Sequence, residues 1–493
     1  MKKIIISKMK RNNHHIILNS ITLLMTLLLL STASCTKDFL EIAPKGKLIA
    51  QKISDYDLLL NNSNLLNTGG ANAQVFLGDE IAAAEQYLSV DEPRTQRLFK
   101  WEPVIYESNE NAPEIASMVS QLYTYNKIIN EVMDASGGTE QQKKSIRAEA
   151  QAGRAWVNFM LINYFGKPYN TATSATDAGF PIIDKADVTE TQFARATVAE
   201  VYDLIVEDLL EAIPNLPQQT TYRIRMSKVA GESLLGKVYV FMGKYSDALP
   251  LFNNALSGIQ NSAIPVNLVN YNEAFAEGGL FMPINPTFGP STPVINNNPE
   301  TIYARQFSNF WVLSSTLVIS PATVSLFNQS DLRLKFYSTM PFPFGDEYPS
   351  GTRRRVGPLT TSYGVVLPEV ILLRAECRAR LNDLTGCAQD LENLRRNRMP
   401  AEDAIVPSSI SGQKQTLLQF VMDERIREYA CQGIRWYDMR RLSVDPLFSS
   451  LQFKHLVYGE NGSVQELPMP AERLVLKIPP KILAENPGMQ DNP

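Results

Sequence analysis

Glu424 and Glu428 stand four residues apart in MDERIREYACQGIRWYDMRR, with Arg425 and Arg427 between them. That spacing puts both carboxylates on one helix face, and a carboxylate pair is the equipment for acid and base steps across a glycosidic bond. The interleaved arginines argue for a different use, because opposite charges three and four residues apart on a helix form ion pairs. The expectation is a structural charge network with no catalytic residue.

Few other groups in the chain could do chemistry. His14 and His15 fall in the N-terminal leader described below, and His455 alone cannot supply HExxH or any multi-histidine metal site. A Ser-His-Asp triad would have to use His455, yet no GxSxG turn presents a serine to it. Cys377, Cys387 and Cys431 are odd in number, with no CxxC and no zinc spacing, so they read as buried free thiols. No P-loop or GxGxxG is present. No metal and no cofactor is therefore indicated, and binding is expected rather than catalysis.

Groups suited to binding concentrate in residues 271–348, which hold 14 aromatics in 78 residues, twice the density of the whole chain. Pro283, Pro286, Pro290, Pro293, Pro299, Pro341 and Pro343, with Pro349 just beyond its end, break this stretch too often for long helices, so its rings sit on turns. Phe310-Trp311 is the leading candidate, followed by Phe281, Phe288, Phe342, Phe344 and Tyr348. An aromatic face can stack on the apolar face of a sugar ring while Asn309, Gln306 and Arg305 fix the hydroxyls. The competing expectation is that most of these rings plug loops onto the body. Arg353-Arg354-Arg355 could meet an acidic glycan or an acidic partner surface, although a solvated loop is the plainer reading.

These turns need a rigid carrier. Apolar residues at spacings of three and four predict helices over 112–133, 141–165 and 197–213. GESLLGKVYVFMGKYSDALPLFNNAL places Gly236, Tyr239, Ala248, Phe252 and Ala255 at the intervals of a tetratricopeptide repeat, in which small residues let two helices approach. One such repeat cannot bury its own face, so partner helices are implied. A weaker pair spans 368–398, and a further helix over 413–431 stops at Gly433, suitably placed as a C′ glycine. Trp101, Trp156 and Trp436 lie in or beside these helical segments and are expected to be packing residues.

The chain opens with Lys2, Lys3, Lys8, Lys10 and Arg11, an apolar run from Ile16 to Leu30, then small residues leading to Cys35. That is the three-part pattern of a secretory signal, and its apolar run is short of the roughly 20 residues of a bilayer span. The cysteine resembles that of a bacterial lipobox, so 1–34 is expected to be removed and Cys35 to carry lipid. The remainder has 42 basic and 51 acidic residues, a formal charge of −9. Nucleic acid, which demands a basic face, is a poor partner for it.

Several segments together resemble the SusD/RagB family of outer-membrane nutrient-binding lipoproteins of the Bacteroidetes. CTKDFLEIAPKG is similar to the family's start through Asp38, Phe39, Leu40 and Pro44. IRAEAQAGRAWVNFMLINYFGKPY resembles its second helix through Glu149, Arg154, Ala155, Phe165, Gly166 and Pro168. EVILLRAECRARLND with GCAQDLENLRRNR resembles a later helix pair, and ENPGMQDNP the usual tail. The charged box resembles the family's own through Glu424, Arg425, Glu428, Gly433, Arg435, Trp436, Asp438 and Arg441. Gln432 departs from it where glutamate is common, and the loop before Pro368 lacks an arginine often found there. The resemblance implies an all-α-dominated body of tetratricopeptide-like helix pairs with a loop-rich ligand face. It divides the body into an N-terminal region, 35–260, a loop-rich region, 261–365, and a C-terminal region, 366–493. It also implies an oligosaccharide or peptide ligand, and a TonB-dependent outer-membrane transporter of the SusC type as partner.

Overall fold

Short-range capping chemistry sets where the helices begin. In the computed structural model, which describes residues 50–308 and 313–493, α1 spans Pro113–Glu131 and opens on a proline, whose missing N–H costs nothing in a first turn. Capping boxes open α2 (Glu140–Phe165), where Thr139 and Gln142 bond reciprocally, and α3 (Val198–Ala212), where Thr197 and Glu200 do the same. Ser227 caps α4 (Lys228–Phe241), and α5 (Tyr245–Gly258) follows after a turn through Gly243 at φ +74. A Cβ on Gly236 would come within 2.8 Å of the Phe252 ring, so the small residue is what lets α4 and α5 close.

The C-terminal helices pack into the same body. α6 (Leu367–Arg380) pairs with α7 (Leu384–Arg396), and α8 (Lys414–Tyr429) lies against both. Left-handed residues Cys431 (φ +60) and Gly433 (φ +80) then turn the chain into α9 (Ile434–Ser443). Gly433 is thus the cap before α9 and not the C′ residue of α8. A Cβ there would meet Gln74 Cγ at 2.4 Å, so close approach as well as φ demands glycine. Trp156 and Trp436 are wholly buried, and Trp101 stacks at 3.8 Å between ring centroids on His455. All three tryptophans are packing residues.

The described residues belong to one compact unit, Ile49–Pro493, and most of the strands fall in sequence between α5 and α6. The largest sheet is four-stranded. β1 (Ile81–Ala84) is central, and the others are β6 (Leu317–Ile319), antiparallel to it, β11 (Lys454–Tyr458), parallel to it, and β12 (Val464–Pro468) beyond β11. The rest are two-stranded: β2 (Ile284–Asn285) with β3 (Gly289–Pro290), β4 (Thr301–Tyr303) with β10 (Val365–Val366), β5 (Gln306–Ser308) with β9 (Thr360–Ser362), and β7 (Tyr337–Ser338) with β8 (Arg354–Arg355). Such short ladders suit a proline-broken sequence, since proline removes a ladder donor. They serve as fixed roots for the loops between them.

Candidate functional site

The β2–β3 hairpin is written in five residues, Asn285-Pro286-Thr287-Phe288-Gly289. The Asn285 side chain accepts from the backbone N–H of Thr287 (2.8 Å) and of Phe288 (3.0 Å), closing an Asx turn. Gly289 takes φ +84, where a Cβ would also strike Val356 Cγ2 at 2.7 Å. The turn holds Phe288 outward, 53% exposed. Its ring meets that of Phe342 at 6.0 Å between centroids, tilted by 52°. Phe342 lies on the proline-rich loop between β7 and β8, whose tip carries Phe344, 87% exposed. Exposed Met340 stands at the start of the same loop.

Arg354 ties the two loops together from below. Its Nε donates to Met340 O (2.9 Å), its Nη2 donates to Thr287 O (3.0 Å), and its guanidinium lies 5.6 Å from the Phe342 ring centroid. Ser315 supports the other side, accepting from Phe342 N–H (2.7 Å) and donating to Phe342 O (2.9 Å). Carriers this well bonded can offer half-exposed rings without the rings collapsing onto each other.

The packing corrects three expectations about this stretch. Phe281 is buried, with Tyr271, Phe275 and Phe336 around it at centroid distances of 5.0, 5.0 and 5.3 Å, so it anchors the loop and cannot offer a face. Tyr348 is also buried. Its hydroxyl donates to Ser315 O (2.8 Å), its ring packs edge-on to Tyr87, and burial pushes its phenol up to about 12. It braces the Phe342 loop from beneath. Arg305 sits in the core, where it donates to the Tyr125 and Tyr303 hydroxyls and lies 5.5 Å from the Trp156 ring centroid, far from any sugar-fixing role. Trp311, Phe310 and Asn309 lie outside the described residues, as does Cys35.

The basic triplet is not a solvated loop either. Strand alternation buries Arg354 on β8 and leaves Arg355, and Arg353 just before the strand, half-buried. Arg355 lines a cavity between the loop region and α8.

The carboxylates of the charged box are structural. Glu424 is buried among Arg333 (2.8 Å), Arg395 (2.9 Å) and Arg427 (2.8 Å). Burial alone would raise its carboxyl, but Arg427, Arg333 and Arg395 hold it far below the ordinary range. Glu428 meets Arg398 (2.7 Å) and Arg333 (2.9 Å), and is likewise held low against its burial. Asp438 is fixed at about 2 by Arg425 and Arg441, again against burial. Groups so held stay ionised and have no proton to donate. His455 is sealed in the core, its ring nitrogens facing Phe99 O (2.6 Å) and Gly78 O (2.7 Å), which leaves it no serine to activate. Among the described residues no cluster of three His, Cys, Asp or Glu forms a metal site.

A family described as starch-binding and associating with the outer membrane matches residues 38–240, and the SusD family matches residues 367–493. Between them the two matches take in about two-thirds of the sequence. The chain belongs to the SusD family.

Solved SusD superfamily structures share its fold throughout. One from Bacteroides thetaiotaomicron superposes with a TM-score of 0.69 at 18% identity, covering 90% of this chain and 100% of its own. Another from Bacteroides vulgatus gives 0.66 at 19% identity, covering 90% and 99%. A SusD-like carbohydrate binding protein, also from Bacteroides vulgatus, gives 0.64 at 14% identity, covering 89% and 97%. No curated protein matches this SusD chain. Among the described residues no helix is long and apolar enough to cross a membrane.

Proposed function

We propose that this SusD-family chain is a non-enzymatic, lipid-anchored receptor that binds an oligosaccharide and passes it to a TonB-dependent, SusC-like outer-membrane transporter. The observation that carries the binding half is the pair of exposed Phe288 and partly buried Phe342, 6.0 Å apart between ring centroids on turns that Arg354 locks together. Ring faces on stiff loops can stack on sugar rings at little entropic cost. Phe344 extends the same face, and Trp311, Phe310 and Asn309 are assigned to it on their place in the sequence. A family described as starch-binding, and a structural neighbour described as carbohydrate binding, support the ligand class. Cys35 is the proposed lipid attachment point, and the family's association with the outer membrane supports that location. Transfer to a transporter rests on the family resemblance alone.

The test uses mature protein lacking residues 1–34, titrated with a panel of oligosaccharides and of unglycosylated peptides. Retention of a glycan, recovered intact, is the expected result. Retention of peptides alone would move the assignment to a peptide receptor of the same family. Time-dependent release of reducing ends, abolished by replacing one carboxylate, would make the protein a glycoside hydrolase. Affinity capture from outer membranes should bring down a TonB-dependent transporter if the transfer role is right.

A further inference from the structure

Away from the Phe288–Phe342 pair, a cavity of about 150 Å³ opens between the loop region and the C-terminal end of α8. Its lining includes Phe281, Phe336, Pro293 and Pro358 together with Glu300, Glu428 and Arg333, the first two bridged by Arg398 and the last two paired with each other. Cavities of about this volume accept a six-membered ring. A lining part apolar and part polar suits a ring that is apolar on one face and hydroxylated at its edge. Two hydroxyls lining the cavity, Ser362 Oγ and Tyr429 Oη, are buried with no protein partner. A ligand hydroxyl, like a water, would satisfy them.

The charges around the cavity do not cancel. Glu300 and Glu428 are both bound by Arg398, Glu428 also by Arg333, and Arg427 is paired with Glu424. Arg355 has no carboxylate within ion-pair distance among the described residues. Its guanidinium carbon lies 5.6 Å from the Phe336 centroid and 5.5 Å from that of Tyr337, and Nη1 donates to Tyr337 Oη (3.2 Å). That is its only side-chain hydrogen bond among the described residues, so the remaining N–H donors of a pre-positioned fork are free for a ligand. A planar guanidinium of this kind matches a carboxylate with two parallel hydrogen bonds.

We propose that this cavity is a second ligand site, taking a single carboxylate-bearing sugar ring such as a uronic acid, with Arg355 as the residue that recognises the anion. The sugar part of this assignment rests on the carbohydrate reading above, while the anion part rests on Arg355. The site gives the protein a means of choosing acidic glycans.

The experiment titrates mature protein with D-glucuronate and with D-glucose, following both by ligand-observed NMR, and repeats the titrations on Arg355→Gln, Arg355→Lys and Phe288→Ala. Glucuronate should bind at least tenfold more tightly than glucose. Arg355→Gln should abolish that preference, Arg355→Lys should restore part of it, and Phe288→Ala should leave it intact. Equal affinity for the two sugars, or a preference that survives Arg355→Gln, overturns the proposal. Should Arg355→Gln not fold, a crystal of the wild-type protein soaked in glucuronate decides, since the ring must appear with its carboxylate on Arg355. Loss of oligosaccharide binding in Phe288→Ala with glucuronate binding retained separates the two sites. Glucuronate binding that survives when no oligosaccharide binds would sink the receptor reading and spare this one.

Discussion

Two phenylalanines seven residues apart give the cleanest test of which rings bind and which pack. Phe288 is 53% exposed and has one aromatic neighbour within the described residues, Phe342 at 6.0 Å. Phe281 is 5% exposed and has three, at 5.0 to 5.3 Å. Truncating a buried phenylalanine costs about 3–5 kcal/mol of stability, whereas a half-exposed ring gives up roughly 1 kcal/mol. The compact unit of 445 residues has an unfolding entropy of roughly 0.9 kcal/mol/K on the usual per-residue value. Phe281→Ala should therefore lower Tm by about 3–5 °C and Phe288→Ala by about 1 °C. Binding should show the opposite order. Stacking of a ring on an aromatic face is worth about 1–3 kcal/mol, by analogy with base stacking, so Phe288→Ala should weaken oligosaccharide binding roughly 5- to 150-fold. Phe281→Ala, measured well below its Tm, should stay within a few-fold of wild type at the Phe288 face. Differential scanning calorimetry and titration calorimetry on the two variants read both quantities. A Phe288→Ala protein with unchanged affinity, or one that loses as much stability as Phe281→Ala, would refute the assignment of that face.

The charge network should behave as structure. Glu424→Gln leaves Arg333, Arg395 and Arg427 without their shared buried anion, and should cost about 3–5 kcal/mol in urea unfolding; a loss below about 1 kcal/mol would refute that role. Asp438 has its folded-state pKa depressed to about 2 from 3.8, so its contribution is present above pH 3.8 and is lost as pH falls through about 2. That shift corresponds to about 2–3 kcal/mol, and acid titration of stability should show a fall over pH 4 to 2 that is shallower in Asp438→Asn; an identical slope would remove Asp438 from the account. Cys35→Ala should release soluble protein from membranes, and a variant that still fractionates with them, with no lipid on the wild type by mass spectrometry, would remove the anchor. Trp311→Ala should weaken oligosaccharide binding by about as much as Phe288→Ala; unchanged affinity with a large drop in Tm would make it a packing residue.

Where the helices lie is decided locally and can be read locally. A 3.6-residue period, the capping boxes at Thr139 and Thr197, and the small residue at Gly236 facing Phe252 all act over a turn or two, or need the chain only to meet its own next helix. The charged box is legible for the same reason: arginines interleaved with Glu424 and Glu428 announce ion pairing before any fold is known. Gly433 escapes such a reading because its φ and the Gln74 side chain that excludes a Cβ come from a turn and a distant segment, neither visible in helical spacing.

The fate of each ring in 271–348 is decided elsewhere. Phe281, Phe288 and Tyr348 share composition, proline neighbours and loop context, so nothing local separates them. Phe281 is buried because Phe336, 55 residues on, closes over it, and Tyr348 because Ser315 and Tyr87 receive it. Phe288 stays out because an Asx turn aims it away and Arg354 holds the turn there. The cavity at Arg355 likewise exists only once β8, β9 and α8 meet, since an arginine becomes a recognition group when its neighbours' carboxylates are already taken. Spacing within one helix determines periodicity and caps. Exposure and charge balance depend on which distant residues arrive, and that only the tertiary structure settles.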